Sequence, residues 1–188
     1  MQTKIPSCSG RTKTAVALLW FCCLSFQEMV AAFTLTTTSR VQGISQTDLY
    51  DFIATPTNWP KIVASSNSVK KPTDQINPVD QPLNIGDEVE EIFGLPPLLP
   101  LSVKWKCVSK DRDESLLFYS QDGVPYFAKD CWMKFYFDSN EEKDDSVEVK
   151  LVMEFDTLNP LVMAATPILN ADNNLALKVL LPLALSKR

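Results

Sequence analysis

Residues 146–156 read "SVEVKLVMEFD", and this alternation constrains the chain more than any other feature. Val147, Val149, Leu151, Met153 and Phe155 fall on one side of an extended segment, and Glu148, Lys150 and Glu154 on the other. Side chains of a strand point alternately to opposite faces, so the segment is a strand with one dry face and one wet face. Such strands belong to antiparallel sheets covered on one side only. "SVKWKCVS" at residues 102–109 repeats the pattern, with Val103, Trp105 and Cys107 opposed to Lys104 and Lys106.

Further strands are expected around these two. Residues 34–44 are β-branched and Thr-rich, a predicted first strand. "SVKK" at 68–71 is a short second strand, and "DEVEEIF" at 87–93 alternates weakly. "SLLFYSQ" at 115–121 is closed by Asp122-Gly123, a turn pair, and "YFAKDCWMKFYFD" at 126–138 is long and aromatic. Parity along that segment puts Phe127, Lys129, Cys131 and Met133 together, which makes Lys129 the one charged residue expected on the inner face. A snorkelling position at the rim suits it better than a catalytic role.

Two segments have helical character instead. Ser45 is placed to cap a helix through "DLYDFIA", which Pro56 ends, and "NWPKIVAS" supplies a second short turn. From Asn159 and Pro160 the period changes to 3.6 and stays so almost to the C-terminus. Ile168, Leu175, Val179 and Leu183 are expected to mark its inner face, widened by Leu177, Leu180, Leu181 and Leu185. One strand, two short helices, about six more strands and a long helix make an α+β domain, with the last helix as the only cover for the sheet.

The N-terminus reads as a leader. Lys4, Arg11 and Lys13 precede the apolar run "AVALLWFCCLSF" at 15–26, and "VAA" at 30–32 supplies the small residues of a signal-peptidase site. The domain assignment is therefore a leader at 1–32 and a single domain at 33–188; a retained membrane anchor is the alternative for the leader. "MVAAFTLTTTSR" resembles the bipartite plastid leaders of algae with complex plastids, in which phenylalanine follows the cut. That resemblance implies delivery to a plastid through the secretory route, with secretion or the endomembrane lumen as the alternative.

Composition removes several chemistries. The 188 residues include no histidine, so Ser-His-Asp and Cys-His catalysis are excluded within the chain. No CxxC or other metal spacing occurs, and neither a metal nor a cofactor is expected. The chain carries 18 basic and 23 acidic residues; loss of the leader, with three basic residues and one acid, takes the net charge from −5 to −7. Nucleic acid is therefore not an expected partner. Cys107 and Cys131 remain, one strand apart in the expected order. Two strand steps of about 9.6 Å exceed the ~7 Å reach of a disulfide, so both are expected free, buried and inert.

"DLYDFIATPTNWPKIV" at 48–63, "LNIGDEVEEI" at 83–92 and "ADNNLALKVLL" at 171–181 resemble, in order and spacing, the first helix pair, third strand and closing helix of the START, birch-pollen-allergen and polyketide-cyclase superfamily, SRPBCC. The resemblance covers essentially all of the mature chain. It implies a helix-grip fold, in which a curved antiparallel sheet of about seven strands wraps the long C-terminal helix around a cavity. It further implies binding or transport of a hydrophobic small molecule such as a lipid, isoprenoid quinone, pigment or polyketide. A cyclase- or dehydratase-type enzyme and a protein-interaction module of the same fold are the alternatives. No catalytic residue of the superfamily carries over.

On this reading Trp105, Phe118, Phe127, Met133, Met153 and Phe155 line the cavity from the sheet, and Ile168, Leu175 and Val179 from the helix. "FGLPPLLPL" at 93–101 is an uncharged connector stiffened by three prolines. Its Leu95, Leu98 and Leu99 are expected at the cavity mouth, as a lid, as a transient membrane contact, or packed on the first helix pair.

Overall fold

The structure, a computed structural model, describes residues 31–71, 78–95, 99–112, 114–139 and 146–187. The leader assigned to residues 1–32 lies outside them apart from its last two residues.

Seven strands form one antiparallel sheet: β1 (Ala31–Gln42), β2 (Ser66–Lys70), β3 (Glu88–Leu95), β4 (Leu99–Asp111), β5 (Ser115–Ser120), β6 (Ala128–Ser139) and β7 (Ser146–Thr157). The spatial order is β1-β7-β6-β5-β4-β3-β2. Strands β2 to β7 each lie beside the next in sequence, and β1 then adds at the far edge, against β7. The expected α+β helix-grip architecture is the one observed.

Two short helices follow β1. Ser45 caps α1 (Gln46–Ala54), its hydroxyl accepting from the Asp48 amide at 3.1 Å, as the sequence predicts. After the 3-10 turn Pro56–Asn58 comes α2 (Trp59–Ile62). Trp59 fastens this pair to the sheet. Its indole N–H donates to the Ile53 carbonyl at 2.8 Å, and its ring meets Phe118 edge-on with centroids 5.3 Å apart. Both aromatics are buried, so the contact adds to a large apolar burial.

The C-terminal helix has three parts: α3 (Pro160–Leu175), a π-helical turn (Ala176–Leu180) and α4 (Leu181–Leu185). Here the structure corrects the sequence reading. Ile168 is 72 % exposed, Leu175 40 %, Val179 45 % and Leu183 51 %, so the expected inner face is the outer one. The leucines expected to widen that face are the ones that turn inward: Leu177 and Leu181 are buried with Val162 and Ala176, and Leu180 and Leu185 pack partly against the core with Leu169. The helix is apolar nearly all round, so periodicity could not choose between adjacent stripes.

Two further expectations change. β1 (Ala31–Gln42) includes residues ahead of 34, so the bond after Ala32 lies within it. The stretch at 93–101 is mostly a hairpin: Phe93 pairs with Leu101, Gly94 with Pro100 and Leu95 with Leu99. Leu98 lies outside the described residues, and Leu95 and Leu99 are placed by backbone pairing alone.

Truncation at the two helix stripes separates them. Leu177→Ala is expected to lower stability by about 2–5 kcal/mol, the usual result of deleting a buried leucine. Val179→Ala on the outer stripe is expected to change it by less than about 0.5 kcal/mol, both read by denaturant unfolding.

Candidate functional site

The inner face of the sheet is a set of cross-strand rows. Register places Phe118 beside Met133, Met133 beside Met153, and Met153 beside Leu35, so one row runs over β5, β6, β7 and β1. Phe33 and Phe155 form the next row and stack with centroids 5.8 Å apart. Trp105, Phe118 and Phe155 of the expected lining are buried, whereas Phe127, Met133 and Met153 face the core yet keep partial access. Ile168, Leu175 and Val179 do not join them, because they occupy the outer side of the helix. The inner side of α3 presents Asn173, whose amide lies 3.3 Å from the Met153 sulfur, a weak acceptor.

Lys129 also leaves the inner face. The β6–β7 register shifts between Lys129 and Trp132, and Asp130 adopts φ +48. This bulge inserts an extra residue, so Ala128 and Cys131 both point inward, where simple alternation would put Lys129 on the face of Cys131 and Ala128 on the other. The Tyr119 hydroxyl donates to Asp130 Oδ1 at 2.6 Å, and the Asp130 amide to the Gln121 carbonyl at 3.1 Å, holding the bulge.

The charged residue that does face inward is Glu91, which sequence reasoning missed. It lies two residues from Val89 on β3, on the same face, and is only 9 % exposed. The signal was parity: a run holding Glu88, Glu90 and Glu91 must turn at least one acid toward the core. The Trp105 indole donates to Glu91 Oε2 at 3.0 Å. Burial pushes the carboxyl above its ordinary value; Ser66 and Trp105 pull it back, and the nearby Asp172 charge raises it further. Ser66 Oγ is buried beside it, at a geometry that falls short of a completed hydrogen bond. Asp172, on α3, accepts from the Ser65 hydroxyl at 2.6 Å.

Cys107 and Cys131 are free and buried, on strands separated by β5, as expected. Burial pushes their thiols up, to about 11 and about 12. Among the described residues no group of three or more His, Cys, Asp or Glu side chains could hold a metal.

A surface cleft of about 740 Å³ is lined by Arg40, Val41, Ile44, Asp48, Pro182 and Leu185 among others. It is a half-open groove where the end of α4 passes the β1–α1 turn. None of the residues selected from sequence lines it. The half-buried apolar rows beneath α3 lie on the dry side of the sheet.

Solved structures share this architecture. Norcoclaurine synthase from Thalictrum flavum is 13 % identical, with a TM-score of 0.60 over 85 % of this chain and 96 % of that one. Major latex-like protein 151 from Panax ginseng is 14 % identical, with a TM-score of 0.55 over 77 % and 94 %. The two-domain ARO/CYC protein BexL is 10 % identical, with a TM-score of 0.55 over 77 % of this chain and 45 % of that one. The fold is thus the Bet v1-like helix grip. No family model matches the chain, and no curated protein matches its sequence.

Two measurements test this interior. Glu91 has a folded-state pKa above its unfolded value of 4.5, so its burial costs nothing below that pH, where both states are protonated. The cost grows as pH rises from there through the folded pKa. Stability is therefore expected to fall over that window in the wild-type protein, and Glu91→Gln should flatten that part of the curve. Separately, both thiols are expected to resist a disulfide reagent at pH 8 in the native protein and to react once it unfolds; fast native labelling would contradict their placement.

Proposed function

We propose that this protein binds or carries a hydrophobic small molecule, of lipid, isoprenoid quinone, pigment or polyketide type, between the inner face of the sheet and α3. One observation carries the reading. Met133 and Met153 stand side by side on the inner face, packed against the core yet keeping partial access, and α3 brings the polar Asn173 amide to the Met153 sulfur. Methionine walls adapt to ligands of varied shape. Bet v1-like neighbours that include a synthase and an ARO/CYC protein fit a cavity of this kind.

In this reading the apolar stretch at 93–101 supports transient membrane contact during loading. The leader supports delivery to a plastid through the secretory route, with secretion as the alternative. The cyclase or dehydratase reading draws support from Glu91 alone, a buried acid on the inner face.

The protein is expected to release a hydrophobic compound into organic solvent after purification, identifiable by mass spectrometry. Met153→Trp, which adds bulk beside Asn173 of α3, should lose that compound while keeping the wild-type circular dichroism. An empty extract, together with no thermal shift from isoprenoid or acyl compounds, would count against binding.

A further inference from the structure

The acid on the inner face has an acidic neighbour and no counter-charge. Glu91 comes from β3 and Asp172 from α3, close enough that each charge opposes the other. Both are held: Glu91 by the Trp105 indole at 3.0 Å, and Asp172 by the Ser65 hydroxyl at 2.6 Å. Ion pairs among the described residues join Arg40 to Glu148, Lys106 to Glu88, Arg112 to Asp51 and Lys134 to Glu154; none reaches either acid. Ser66, 6 % exposed, adds a buried hydroxyl without a completed hydrogen bond at the same place. A buried carboxylate without a cation is costly. Among the described residues no cation forms an ion pair with either acid.

Resting on the ligand-binding reading above, we propose that Glu91, Asp172 and Ser66 form the polar end of the pocket and receive the ammonium group of an amphiphilic amine. An ammonium offers three donors, which match one oxygen from each of these three side chains. Its charge also supplies the cation that the acids lack, giving charge-assisted hydrogen bonds inside an apolar surround. The apolar body has a defined path. Asp172 and Asn173 are consecutive on α3, and Asn173 lies on the Met153 sulfur. A tail leaving the acid pair thus passes under α3 onto the Met153 and Met133 row. Phe93 and Leu101, the cross-strand pair beyond Glu91, flank the head group.

The test compares three probes of equal chain length, decylamine, decanol and decanoate, titrated into the purified protein and followed by calorimetry. Decylamine is expected to bind at least about tenfold more tightly than decanol, with decanoate weakest. Glu91→Gln and, separately, Asp172→Asn should each remove most of the preference for decylamine over decanol. The second variant guards against a folding defect in the first, and circular dichroism checks both. Equal affinity for decylamine and decanol, or a preference that survives both variants, overturns the ammonium site and leaves hydrophobic binding intact. Failure of all three probes to bind overturns both.

Discussion

The pairing of β1 with β7 is the constraint on which the rest depends. It runs in unbroken register from Ala31↔Thr157 to Gln42↔Ser146, joining segments more than a hundred residues apart. By itself the run from β2 to β7 is a meander with one dry face. Adding β1 extends that face by Leu35, Thr37 and Val41 and gives the π-helical turn and α3 a surface to rest on. It also leaves β1 and β2 as opposite edges of the sheet, with α1 and α2 between them in the chain. Trp59 then ties that helix pair to Phe118 in the middle of the sheet. Because the closing contacts are so distant in sequence, loop-closure entropy makes this pairing a slow step of folding.

Much of the architecture was legible because its signals are local. Alternation in β4 and β7, the Ser45 cap and the period change at Pro160 each depend on a few neighbouring residues. The departures arise where a local pattern is degenerate or broken. The C-terminal helix carries leucines on most sides, and only contact with β1 and α2 decides that Leu177 and Leu181 turn inward while Val179 does not. The bulge at Lys129 and Asp130 shifts parity by one residue, which no alternation count detects. Glu91 was hidden among neighbouring acids, and register against Val103 on β4 and Val69 on β2 was needed to see which one faces the core.

Those departures change the character of the interior. Sequence parity suggested an apolar lining with a single lysine at its rim. The structure removes the lysine and inserts an acid, a second acid from the helix, a buried serine and an asparagine amide resting on a thioether. On the binding reading proposed above, apolar rows supply non-directional attraction and the polar groups supply orientation, the usual division of labour in small-molecule sites. Trp105 serves both, since its ring is part of the core and its N–H fixes the Glu91 carboxylate.

The ladder that holds β1 bears on how the sheet can come apart. Ala31 and Ala32 are strand residues, opposite Thr157 and Asp156, and the Thr157 hydroxyl donates to the Ala31 carbonyl at 3.1 Å. Yet β1 is paired on one side only, so losing it breaks one ladder and leaves the pairings from β2 to β7 intact. The sheet can thus exchange its first strand without dismantling the rest, the arrangement from which strand swapping between copies proceeds.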